Sequence, residues 1–106
     1  MDDARVVFVS LPREEASKLA KEMCERRLCA CVNIIPKIES FYWWEGEVNQ
    51  DQEALLVIKT SSERMVDLME YVCDVHPYDL PEIIALPIAD GLPDYLNWVK
   101  RESTAR

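Results

Sequence analysis

The chain has 106 residues, 49% of them hydrophobic, and 20 acids against 12 bases give it a net charge of −8. That length points to one domain, residues 1–106, with a core of modest size, and the composition to a folded chain rather than a disordered one. Only Arg26-Arg27 and Lys100-Arg101 are adjacent bases, too few to track a phosphate backbone, so nucleic acid is not an expected partner. No apolar run of transmembrane length and no basic-then-apolar leader is present, which sets a membrane partner aside and makes the cytoplasm the expected location.

Arg5 to Ser10 (RVVFVS) is short, apolar and β-branched, the pattern of a central strand. Pro12 suits the first turn of a helix, and Ala16, Leu19, Ala20 and Met23 recur at helical spacing up to about Arg27. Cys29 to Ile35 reads as a second strand. The four cysteines, Cys24, Cys29, Cys31 and Cys73, do not form a disulfide scaffold or a zinc-ribbon pattern, and reduced, buried thiols are expected.

Glu45-Gly46 is the turn of a long hairpin, with Gly46 able to take positive φ. Counting outward from that turn pairs Ile35 with Leu56 and Cys31 with Thr60. The base of the hairpin is apolar on both arms. The outer part is aromatic on one arm (Phe41, Tyr42, Trp43, Trp44) and polar on the other, and Pro36 marks a bend or bulge between the two parts. Alternation gives both faces of the outer part bulky aromatics.

Thr60-Ser61-Ser62-Glu63 has the form of a capping box. The helix after it shows Met65, Leu68, Met69, Val72 and Cys73 on one face and stops before His76-Pro77. A proline-braced loop, HPYDLPE, leads to a strand at 83–89, and Pro93 opens a last helix carrying Tyr95, Leu96, Trp98 and Val99. The tail from Glu102 is expected to fray.

The order β-α-β-β-α-β plus a terminal helix predicts an α+β, ferredoxin-like sandwich, with two helices on one face of an antiparallel sheet. Each hairpin arm of roughly 14 residues spans about 48 Å. A chain of this size folds to a globule about 34 Å across. The ribbon outreaches its own domain, and each aromatic left wet forgoes roughly 1.5–3 kcal/mol. A closed ring of identical subunits would shelter every copy, although these considerations do not fix their number.

The segments LCACVNIIP, FYWWEG, LVIKT, HPYDLPEII and DYLNWV, in this order and at these separations, resemble the CutA family of divalent-cation tolerance proteins from about residue 5 to about 101. The resemblance implies a ferredoxin-like protomer in a PII-like homotrimer whose hairpins build sheet across subunits, and a role in copper and divalent-metal tolerance. The copper ligands it implies are a cysteine near the end of the first strand and a His-His pair before the proline. Ser10, Val75 and His76 stand at those positions, so only His76 is retained, and Cys31 is the cysteine that best matches the family pattern. His76 and Cys31 are therefore the candidate metal residues.

For a small-ligand cleft between subunits, the candidates are Trp44, Lys59, His76, Tyr78, Glu82, Tyr95 and Trp98: one cation, one carboxylate, one imidazole and aromatic walls. The competing structural assignment has His76 bonding a backbone group, Glu82 pairing with Lys59, and the aromatics serving as packing. Three functions follow: a metal-responsive or metal-binding trimer, a PII-like sensor or scaffold whose cleft takes a small ligand or a protein partner, and an enzyme using His76 and Glu82. The chain has no nucleophile elbow, no phosphate-cradling glycine loop and no paired-carboxylate motif, so the expectation is a protein that is not an enzyme.

Overall fold

The structure, a computed structural model, describes residues 3–105. Strand β1 (Ala4–Leu11) leads into helix α1 (Arg13–Glu25), then the long strands β2 (Cys31–Trp44) and β3 (Glu47–Ser61). A single 3-10 turn (Ser62–Arg64) opens helix α2 (Met65–Val75), followed by β4 (Ile83–Pro87) and helix α3 (Pro93–Glu102). The strands form one antiparallel sheet in the order β2-β3-β1-β4, the ferredoxin-like arrangement.

α1 and α2 cover one face of that sheet. Val7, Val9, Leu11, Ala54, Leu56 and Ile58 point into this layer and are fully buried with Met23, Leu68 and Val72 of the helices. The other face is apolar too, but only partly covered. Cross-strand partners share a face, so Asn33, Val57, Phe8 and Ile84 form one row across it and Ile35, Leu55 and Ser10 the next. α3 returns over the end of this face, bringing Tyr95 to the Cys31 thiol, and Ser103 donates to Ser61. Ile35, Ile84 and Leu86 stay exposed beside it.

α1 ends in a Schellman motif. The Leu28 N–H reaches the Met23 carbonyl and the Arg27 N–H the Cys24 carbonyl, both at 3.0 Å, while Leu28 and Met23 are both buried. Arg27 takes the left-handed position, φ 60°, that glycine usually fills. Its bonds offset the cost: the side-chain Nη1 lies 2.7 Å from Glu102 Oε1, and the backbone carbonyl accepts from Arg64 Nε at 3.1 Å. One residue thus joins the ends of α1 and α3 to the start of α2.

The hairpin turns through Glu45 (φ 52°) and Gly46 (φ 80°), two positive-φ residues between the paired Trp44 and Glu47, a geometry whose twist matches the flanking strands. From the turn to Ile38↔Glu53 the register is the counted one. Pro36 and Lys37 then bulge out against Ala54, and beyond them Ile35 pairs with Leu55 and Cys31 with Lys59, one residue away from the simple count. The longest dimension of the chain is 44 Å against 26 and 23 Å across, so the ribbon does extend past the body.

Several local expectations change. Ser61 sits at the N-cap of the 3-10 turn without a side-chain cap bond, and the Thr60 hydroxyl donates instead to the Leu28 carbonyl at 2.7 Å, so the capping box is not formed. Met69 and Cys73 of α2 are exposed because the stripe centred on Leu68 and Val72 meets the sheet. β4 ends at Pro87 rather than at 89; one further bond, from the Ile88 N–H to the Ala4 carbonyl at 3.2 Å, meets the first residue of β1, and no strand residue lies beyond it to pair with. The tail does not fray at Glu102: that residue pairs with Arg27, and Ser103 is fully buried.

Candidate functional site

The loop between α2 and β4 folds back against the end of β1, where the outer ribbon leaves the body. His76 is buried, 8% exposed. Its Nε2 lies 2.7 Å from the Ser10 carbonyl oxygen, and its Nδ1 accepts the Tyr78 N–H at 3.1 Å. A carbonyl can only accept and an N–H only donate, so the imidazole carries its proton on Nε2 and both ring nitrogens are engaged. The ring also stacks, tilted, on Tyr78 with centroids 4.8 Å apart. His76 is the pin of the loop.

Pinned in this way, the loop directs two polar groups onto the sheet. The Tyr78 hydroxyl donates to Glu53 at 2.9 Å, and Glu82 accepts from the Ser10 hydroxyl at 3.3 Å. Glu53 is 6% exposed, a nearly buried carboxylate on the inner edge of the ribbon. Burial, and then the bond to Glu53, push the Tyr78 phenol well above its ordinary range. The Tyr42 hydroxyl donates to Asp51, and that bond is the main reason its own pKa is raised.

Between loop and ribbon lies a cleft of about 720 Å³. Tyr42, Trp44 and Tyr78 are among its walls, and Glu39, Asp51, Glu53, Asp79 and Glu82 supply its charge. Apolar walls with a few fixed polar groups are the usual chemistry of a small-molecule site. The carboxylates make this one suited to a ligand that brings hydrogen-bond donors or positive charge, with cation–π support from the rings.

The candidate residues divide into two groups. Trp44, Tyr78 and Glu82 line the cleft, and His76 holds it from behind. Lys59 is not among them: its ammonium bonds Asn33 Oδ1 and lies 3.9 Å from Cys31 Sγ. Tyr95 reaches the same cysteine, with its pKa raised by burial and then by the thiol, and it stacks on Trp98 at 5.5 Å. Lys59 pairs with Val6, four residues along β1 from Ser10, which places this second group roughly 13 Å up the strand. Glu82 meets Ser10 and not Lys59. The sequence reading left out Glu53, Asp51, Tyr42 and Ser10 as cleft residues; Glu53, an acid flanked by the apolar run ALLVI, was the signal available.

The implied copper ligands do not fit a metal centre in this fold. Both His76 nitrogens are occupied, Val75 offers no donor, the Ser10 hydroxyl is turned to Glu82, and Cys31 lies in the other group. Among the described residues no three His, Cys, Asp or Glu side chains cluster as a metal would need.

An α+β sandwich with this strand order, a projecting ribbon and a cleft at its root defines a PII-like architecture. A solved structure titled as a PII-like CutA protein from Nostoc superposes with a TM-score of 0.90 at 31% identity, covering 96% of this chain and 99% of that one. The structure of the divalent cation tolerance protein from Thermus thermophilus superposes with a TM-score of 0.91 at 47% identity, over 93% and 97% of the two chains. The curated Thermus thermophilus relative, named divalent-cation tolerance protein CutA, is 50% identical over 93% of this chain and 96% of its own. The family model of the CutA1 divalent ion tolerance protein matches residues 5–102, and the chain belongs to that family. It spans only about half the length of the rice and mouse relatives it matches. Among the described residues, no helix is long and apolar enough to cross a membrane.

Proposed function

We propose that this protein serves divalent-cation tolerance as a homotrimeric, PII-like sensor or scaffold whose cleft binds a small ligand, and that it is not an enzyme. The observation that carries this reading is the cleft itself: aromatic walls around the nearly buried Glu53, held by a loop whose only histidine is fully engaged in structure. The trimer is supported by the exposed apolar sheet face and the bare outer ribbon, which a ring of three copies would cover. In such a ring the Lys59, Tyr95 and Trp98 group of one subunit is available to a neighbour's cleft. A cytoplasmic location accords with four unbridged cysteines.

The test uses the purified full chain and its His76→Ala variant. Both are titrated with Cu(I), Cu(II) and Zn(II) and screened against a panel of small metabolites, with molecular mass measured throughout. The expected result is a trimer whose metal affinity hardly changes in the variant while binding of a cleft ligand weakens. Tight copper binding that is lost with His76 would instead favour a resident metal centre, and turnover of a compound that is lost in the variant would favour catalysis.

A further inference from the structure

Cys24 and Cys29 meet at the end of α1, away from the cleft. Their Sγ atoms are 3.7 Å apart, in contact and not bonded. The Schellman motif makes this contact: by turning the chain back at Arg27, it places the residue after Leu28 against the last turn of the helix it has just left. The two thiols differ in access. Cys24 is half-buried at the surface, whereas Cys29 is 2% exposed and packed in the core. Burial, and then the neighbouring Cys24, push the Cys29 thiol far above its ordinary range. The remaining cysteines face elsewhere: Cys31 Sγ lies 3.9 Å from Asn33 Oδ1 and from Lys59 Nζ, and Cys73 is exposed on α2.

We propose that Cys24 and Cys29 form a reversible intramolecular disulfide, making the α1–β2 joint a site of thiol oxidation. The oxidant is a low-molecular-weight disulfide. Cys24, the accessible thiol, attacks one of its sulfurs as the thiolate; that S–S bond breaks and one thiolate leaves. Cys29 then gives up its proton, and its thiolate attacks the Cys24 sulfur of the mixed disulfide and expels the second thiolate. The protein loses two electrons and two protons, and the small disulfide becomes two thiols. A closing distance of about 2.05 Å requires side-chain rotation at both residues rather than a new fold.

The site occupies a crossing point of the fold, which gives its oxidation a consequence. Arg27, inside the six-residue ring that the bond would close, holds Glu102 of α3 and accepts from Arg64 at the start of α2. The adjacent Leu28 carbonyl accepts from Thr60 near the end of β3. A bond at this point changes the tension on the joint that ties α3 to the start of α2 and the end of β3. Disulfides of this kind in reducing compartments are transient and redox-sensing.

The experiment uses the full chain carrying Cys31→Ala and Cys73→Ala. It is equilibrated with oxidised glutathione, denatured, alkylated and weighed by mass spectrometry. The expected product has lost two hydrogen masses and both alkylation sites, holds no glutathione, and reverts fully on reduction. Adding Cys29→Ser should trap one glutathione on Cys24. Should the double variant fail to fold, tryptic mapping of the oxidised wild-type chain takes its place: cleavage at Arg26 and Arg27 separates Cys24 from the peptide that holds both Cys29 and Cys31, and fragmentation of the bridged pair must place the bond on Cys29. Two alkylated thiols, a stable mixed disulfide on Cys24, or a bridge to Cys31 in place of Cys24 would overturn the proposal.

Discussion

The inner and outer halves of the β2–β3 ribbon are one continuous pair of strands with opposite environments. In the inner half Ala54, Leu56 and Ile58 are completely buried under α1 and α2. In the outer half Phe41 is 63% and Trp43 74% exposed, and the chain's own α2–β4 loop only borders the ribbon, through Tyr78 and Glu53. Hydrophobicity does not separate the halves; the outer one carries the larger apolar side chains. What separates them is reach. The two helices span the body of the sheet and no further, so the apolar surface beyond Pro36 is left for another molecule to cover. In the proposed trimer, residues that look alike in composition would act on different equilibria: the inner set on folding of the chain, the outer set on association.

That division can be broken by two substitutions that each remove a large apolar side chain. Leu56→Ala is expected to destabilise the fold by about 2–5 kcal/mol through lost transfer energy and the cavity left behind. It should show as a drop in urea midpoint whatever the protein concentration. Trp43→Ala removes a larger side chain yet should leave the protomer folded. Its effect belongs to assembly, roughly 1.5–3 kcal/mol per subunit, seen as dissociation in sedimentation at dilutions where the parent chain remains associated. A loss of stability in Trp43→Ala that matched Leu56→Ala and did not depend on concentration would erase the distinction.

The same division governs what could be read from the sequence. Order, strand and helix types, the turn at Glu45-Gly46 and the overreach of the ribbon follow from local pattern and length, and all appear in the structure. The inner register does not. Counting from the turn holds to Ile38↔Glu53 and then fails by one, because Pro36 and Lys37 both stand opposite Ala54. Pro36 announced a bulge but not how many residues it would absorb. Within one protomer the cleft grouping is only partly legible, for a related reason. Which end of a strand a residue reaches depends on register and direction together, and in one protomer Lys59 lies with Cys31, at the far end from His76 and Glu82. The capping box gave way to a tertiary competitor, the Leu28 carbonyl, that no local window contains. Glu53 stands beside the apolar run ALLVI, but only the loop that brings Tyr78 to it makes it a buried acid.

The seam between the two halves gives a smaller effect with a pH signature. Tyr78→Phe leaves Glu53, buried, without its donor, at a cost of about 1–2 kcal/mol; the lower part of the usual range applies because the ring is 37% exposed. The raised pKa of Tyr78 fixes the sign of the pH dependence. The native state holds the phenolic proton more tightly than the unfolded chain, so the contribution is complete below the unfolded value of 10.0 and is lost as pH rises toward the native one. Urea unfolding of the parent and the variant from neutral to alkaline pH should show the gap between them closing above that value. A gap that widened there would mean that Glu53 is not what holds the proton.

The smallest effect lies at the tip. Glu45 and Arg27 are the two described residues other than glycine at positive φ, 52° and 60°, and left-handed backbone costs such residues about 1–2 kcal/mol. Arg27 has compensation in its pair with Glu102. Glu45, at the exposed end of the ribbon, shows no side-chain bond among the described residues. Asparagine followed by glycine is the pair that this turn prefers, so Glu45→Asn should recover part of the cost, about 0.5–1 kcal/mol. For a chain of this size that is a rise of about 2–6 °C in melting temperature. Because the gain is torsional and not a matter of contacts, it should be the same whether the ribbon is sheltered in the assembly or bare at dilution. A gain present only in the assembled state would show that the turn itself touches a neighbour.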